Sequence, residues 1–135
     1  MTAVALQVTM DCSDPRQMAA FWSKVLGYVI EFDDPANAWG AVVDPGSKGP
    51  RLVFQRVPEP KAVKNRTHLD LQVGQTRLAD ELTRLTGLGA RVLRNLALDP
   101  DADVLHEATE TYNVAPVQWR RFMLADPEGN EFCLQ

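Results

Sequence analysis

Residues 3–10 alternate in polarity, with Ala5, Gln7, Thr9 and Asp11 on one side and Leu6, Val8 and Met10 on the other. A period of two predicts a half-buried strand. Ser13 or Asp14 then offers an N-cap, with Pro15 at the first helical position. Met18, Phe21, Trp22, Val25 and Leu26 recur at helical spacing, and Gly27 stops the run. Residues 28–32 and 39–43 read as strands, separated by a turn at Asp33-Asp34-Pro35-Ala36-Asn37. A fourth strand covers 51–57.

The order then restarts. Residues 67–73 alternate, with His68, Asp70 and Gln72 against Leu69, Leu71 and Val73. A helix is expected from about Thr76 to Leu85, with Leu78, Leu82 and Leu85 as its stripe and Gly87 and Gly89 at its end. Strands follow at 90–93, 117–124 and 131–134. Two turns match across the halves. Asp44-Pro45-Gly46 leads into Arg51-Leu52-Val53-Phe54-Gln55, and Asp126-Pro127-Glu128 leads into Glu131-Phe132-Cys133-Leu134-Gln135. Arg51 thus matches Glu131, and Gln55 matches Gln135. A unit built twice is the simplest account. It predicts an α+β chain of two βαβββ modules, about 1–57 and 66–135, joined by the stiff polar stretch 58–65. Each half is small for independent folding, so residues 1–135 are expected to form a single domain. Residues 96–116 have no counterpart. They are acidic, contain His106 and Tyr112, and are long enough for a lid or a plain surface insertion.

Composition changes the picture mainly by exclusion. The 135 residues are 45% apolar and 24% charged, ordinary for a globular chain. A net charge of −4 offers no footprint for nucleic acid and argues against an anionic membrane surface. No apolar run spans a bilayer and no leader pattern is visible, so a cytoplasmic location is expected. Cys12 and Cys133 have neither disulfide-framework nor metal-site spacing and read as plain reduced thiols.

Phe21-Trp22-Ser23-Lys24-Val25-Leu26-Gly27-Tyr28, Thr67-His68-Leu69-Asp70 and Asp126-Pro127-Glu128-Gly129-Asn130-Glu131-Phe132 together resemble the vicinal oxygen chelate superfamily. That superfamily includes glyoxalase I, fosfomycin-resistance and bleomycin-resistance proteins and extradiol dioxygenases. The resemblance is closest to bacterial glyoxalase-like domains and spans nearly the whole chain. It implies two βαβββ modules whose sheets form a half-open cup with helices outside, and it suggests a homodimer. Leu6, Val8, Leu52, Phe54, Leu69, Leu71, Phe132 and Leu134 are then expected to face the helices. Gln7, Thr9, Arg51, Gln55, His68, Asp70 and Glu131 are expected to line the cup.

The resemblance also implies metal-ligand positions at Gln7, His68 and Glu131, with a fourth on the strand from Arg51. Glutamine, histidine and glutamate can hold Zn, Ni, Fe or Mn. Arg51 at the fourth position cannot, because guanidinium is a permanent cation. It is expected to pair with Glu131, and Gln55 is the nearest substitute ligand. The expectation is therefore a cup without a resident cofactor, with one divalent ion as the alternative. His68, Glu131 and Gln7 are also explained as plain polar residues of a pocket.

Trp39 and Trp119, with Met123, Arg121 and Ala41, fall on the cup side and suit a planar or aromatic small molecule. The tryptophans could equally cap a barrel end or lie at a dimer contact. Three functions remain open. One is metal-free small-molecule binding through Gln7, Trp39, Arg51, Gln55, Asp70, Trp119, Arg121 and Met123. Another is a metal-dependent lyase, isomerase or dioxygenase with Glu131 as base. The third is metal-free acid–base chemistry by His68 with Asp70 or Glu131. Glutathione recognition is disfavoured, since Lys48, Lys61, Lys64 and Arg66 fall in loops.

Overall fold

The structure, a computed structural model, describes residues 5–95 and 121–135. The chain divides into two compact units, one comprising Met1–Lys64 with Asp126–Asn130 and the other Asn65–Ala125 with Glu131–Gln135. The first contains β1 (Gln7–Cys12), α1 (Pro15–Leu26), β2 (Val29–Asp33), β3 (Trp39–Val43) and β4 (Arg51–Arg56). The second contains β5 (Leu69–Leu71), α2 (Leu78–Gly87), β6 (Arg91–Asn95), β7 (Phe122–Ala125) and β8 (Glu131–Leu134). The sheet orders are β1-β4-β3-β2 and β5-β8-β7-β6. In each, the first strand runs parallel to the last, and the other pairings are antiparallel. The repeat read in the sequence is thus one βαβββ topology used twice. Among the described residues no helix is long and apolar enough to cross a membrane.

Helix α1 follows its sequence signals closely. The Asp14 side chain accepts from the Gln17 backbone N–H at 3.1 Å, Pro15 opens the helix, and Gly27 closes it at φ 68°. Only glycine takes that left-handed geometry cheaply. The buried stripe is Pro15, Met18, Ala19, Phe21, Trp22 and Val25. The helix lies directly on β3. A Cβ at Gly40 would fall 2.8 Å from the Pro15 carbonyl oxygen and 3.3 Å from Ala19 Cβ. Under that stripe Val42, Leu52 and Phe54 are fully buried.

Several expectations shift. Leu6 does not face a helix: it precedes β1 and is 76% exposed. β5 is three residues long rather than seven, and α2 runs two residues later than its stripe suggests. Gly87 is the last helical residue, and the chain turns away at Gly89 with φ 109°. The insertion at 96–116 and Trp119 lie outside the described residues.

The two Asp-Pro turns share one construction with opposite environments. Asp44 accepts from the backbone N–H groups of Gly46, Lys48 and Gly49 at 2.8–2.9 Å, at the surface. Those bonds hold its carboxyl below the ordinary range. Asp126 accepts from the backbone N–H groups of Glu128 and Asn130, both at 2.9 Å, and from the Asn130 side chain. It also takes the Trp22 indole N–H at 3.2 Å. Asp126 is completely buried, and removal from water raises its carboxyl above the ordinary value of 3.8 despite these donors.

Asp126→Ala orphans several buried donors at once, so it should cost roughly 3 kcal/mol or more in urea unfolding. Asp44→Ala, whose donors can turn to water, should cost clearly less. The pH dependence has a definite sign. A raised folded pKa means the native state binds the proton more tightly than the unfolded chain. The contribution of Asp126 should therefore decline as pH rises from its ordinary value of 3.8 through the folded value. A stability difference between wild type and Asp126→Asn that stays flat across that window would contradict this.

Candidate functional site

In the first unit the exposed residues of β1 are Gln7, Thr9 and Asp11, while Val8 and Met10 are half-buried and Cys12 is buried. Alternation thus sets one polar face. Gln7 stands opposite Arg51, and Asp11 opposite Gln55. Trp39 pairs with Gln55, and Ala41 with Val53. Arg51 is held on both sides. Its Nε donates to Glu31 Oε2 at 2.6 Å, and its Nη1 donates to Gln7 Oε1 at 3.1 Å. The carboxylate on Arg51 is therefore Glu31, where Glu131 was expected. Glu31 sits at an irregularity between Ile30 and Phe32 in β2. A bulge of this kind re-aims a side chain in a way that period-two reasoning cannot anticipate. Trp39 is 51% exposed at the far end of the same face.

In the second unit Leu69 pairs with Phe132 and Asp70 with Cys133. His68 and Glu131 each come immediately before the first paired residues of these strands, Leu69 and Phe132. The carboxylate of Glu131 accepts the Asn65 backbone N–H at 2.9 Å. His68 Nδ1 lies 3.0 Å from Asp70 Oδ1 and 4.0 Å from Cys133 Sγ. Met123 stands opposite Cys133 on β7, and Arg121, just before that strand, is half-buried. Cys133, read in the sequence as a plain reduced thiol, is free and buried here, and it stands directly across from Asp70.

The family's ion position can be tested against these residues. Gln7 would coordinate through Oε1, and that oxygen is already engaged by a guanidinium. A divalent ion there would have to sit beside a permanent positive charge. The donor set at Gln7 does not fit a cation.

A second concentration of charge surrounds the start of α1. Glu128 Oε1 accepts from Ser13 N at 3.0 Å, Ser13 Oγ at 2.7 Å and Asp14 N at 2.9 Å. Sequence reasoning missed this, because nothing local links residue 128 to residue 13. Beside it lies Cys12, whose Sγ donates to the Gln55 carbonyl at 3.6 Å. A helix N-terminus usually lowers a thiol pKa. Here burial, followed by the carboxylates of Glu128, Asp14, Asp11 and Asp126, pushes Cys12 up to about 12. Cys12 should therefore resist a thiol-specific disulfide reagent at pH 8 in the folded protein and react fully in urea. Fast labelling of Cys12 in the native state would contradict this environment.

The fold has solved counterparts. The fosfomycin resistance protein FosX of Listeria monocytogenes, in a mutant form complexed with Mn(II) and 1S,2S-dihydroxypropylphosphonic acid, aligns with a TM-score of 0.68 at 13% identity, covering 99% of this chain and 90% of that one. A possible glyoxalase from Bacillus cereus aligns with a TM-score of 0.66 at 15% identity, covering 99% of each chain. A glyoxalase/bleomycin resistance protein/dioxygenase family enzyme from Burkholderia phytofirmans aligns with a TM-score of 0.63 at 18% identity, over 95% and 94%. At such identities the likeness is one of fold. No curated protein matches the sequence significantly. The sequence model of the glyoxalase-like domain matches residues 7–135, so the chain belongs to the glyoxalase-like domain family, within the vicinal oxygen chelate superfamily.

Proposed function

We propose that the chain binds a small planar molecule carrying a carboxylate or carbonyl group, with Arg51 as its polar anchor and without a catalytic metal at Gln7. The observation that carries this reading is the state of Arg51. Of its five N–H donors, Nε is committed to Glu31 and one on Nη1 to Gln7. Among the described residues the rest of the fork has no other acceptor, and Glu31 fixes its orientation. A positioned guanidinium suits a planar acceptor better than any other side chain does.

Trp39 supplies the apolar part. Along β4 it lies level with Gln55, four residues from Arg51, or about 13 Å at strand spacing. Val53 and Ala41 lie on the strands between them and are buried. A ligand with an aromatic end and an acidic end matches that polarity. The Listeria fosfomycin resistance protein carries Mn(II). Transfer of that ion to this chain is opposed by Arg51, which sits level with Gln7 and holds its amide oxygen.

The test is a panel of aromatic and heteroaromatic acids screened by thermal shift, followed by calorimetric titration of the best binder. Arg51→Ala should weaken that binder at least tenfold, about 1.4 kcal/mol. Trp39→Ala should weaken it by a similar factor, and EDTA should change nothing. Binding that is abolished by EDTA and unaffected by Arg51→Ala would refute the reading.

A further inference from the structure

We propose that His68, Asp70 and Cys133 form a binding site for a divalent cation of the zinc class. Their donor atoms come from two adjacent parallel strands, β5 and β8, and from the residue just before β5. Asp70 on β5 stands level with Cys133 on β8, and His68 is two residues before Asp70 on the same face. His68 Nδ1 is 3.0 Å from Asp70 Oδ1 and 4.0 Å from Cys133 Sγ, and one donor atom from each residue lies within 4.8 Å of the other two. Zinc bonds of about 2.0–2.3 Å in a tetrahedral shell place such donors about 3.3–3.8 Å apart. The three atoms are within a small side-chain adjustment of that spacing, and Asp70 and His68 are exposed enough to make it.

The alternative for such a trio is a relay from carboxylate through imidazole to thiol. A relay uses both ring nitrogens, one toward the carboxylate and the other toward the nucleophile. Here Nδ1 faces both Asp70 and Cys133. Three donors converging on one small volume is the geometry of coordination. One nitrogen, one sulfur and one oxygen suit zinc rather than magnesium or calcium, which prefer oxygen alone. Three protein ligands leave a fourth position for water. The Cys133 thiol is buried while His68 and Asp70 are partly exposed, so the ion approaches from their side. Coordination releases the thiol proton to solvent. This ligand set shares only His68 with the Gln7–His68–Glu131 positions, and it does not rest on the small-molecule reading.

The full chain, stripped with EDTA and dialysed, is titrated with Co(II) and then Zn(II) while absorbance is recorded. A site containing Cys133 gives a thiolate-to-cobalt charge-transfer band in the near ultraviolet, saturating at one ion per chain and displaced by Zn(II). Cys133→Ser should abolish the band. Cys133→Ser and Asp70→Asn should each weaken Zn(II) binding about tenfold or more, whereas Glu131→Gln should change it by less than about twofold. Asp70 lies at the surface, so its variant remains informative should Cys133→Ser fold poorly. Wild type that takes up no cobalt, or takes it up without the band, overturns the site. So does zinc affinity lost in Glu131→Gln and retained in Asp70→Asn.

Discussion

A carboxylate leaves water only where other donors replace the ones it gives up. Asp126 meets that condition with two backbone N–H groups, the Asn130 amide and the Trp22 indole. Each donor is itself fixed by something larger. The backbone groups exist only in this turn, and the indole arrives only when α1 is seated on its sheet. The same turn presents Glu128 to the start of α1, where it takes three donors from Ser13 and Asp14. Helix, turn and carboxylate are therefore satisfied together or not at all. That cooperativity is why a fully buried acid is tolerated at the first unit's centre.

The duplicated topology holds different chemistry at matching places. In each sheet the first and last strands run parallel. One sheet pairs an amide and a guanidinium, Gln7 and Arg51. The other has His68 and Glu131 just before its first paired residues, with Asp70 and Cys133 paired further along. The first pair carries a permanent positive charge, whereas the second group offers imidazole, carboxylate and thiol donors. Duplication has preserved the backbone geometry while the two faces have parted in electrostatic character.

Much of this was legible in the residues. Alternation in β1, the Asp14-Pro15 start, the Gly27 stop and the twin Asp-Pro turns are local signals, and each was found where expected. The register of the polar face followed from period two, which placed Gln7, Arg51 and Glu131 on their strands, while His68 falls just before β5. What escaped was non-local or irregular. Trp22 read as one more apolar residue of a stripe, although its N–H serves a carboxylate 104 positions away. Glu31 was invisible as the partner of Arg51 because a bulge turns it. Cys133 was judged by its spacing to Cys12, when its relevant neighbours are His68 and Asp70 on the adjoining strand. Leu6 was assigned by alternation beyond the point where the strand begins.

The turn at 126–130 belongs by its contacts to the first unit, yet in the chain it follows nearly all of the second. During synthesis the ribosome releases β1 through β4 and α1 long before residue 126 leaves the tunnel. Until then Asp126 and Glu128 are not there to take the Trp22 indole N–H and the amides of Ser13 and Asp14. The first unit's bonds to this turn therefore wait on a segment that follows residues 65–125 in the chain.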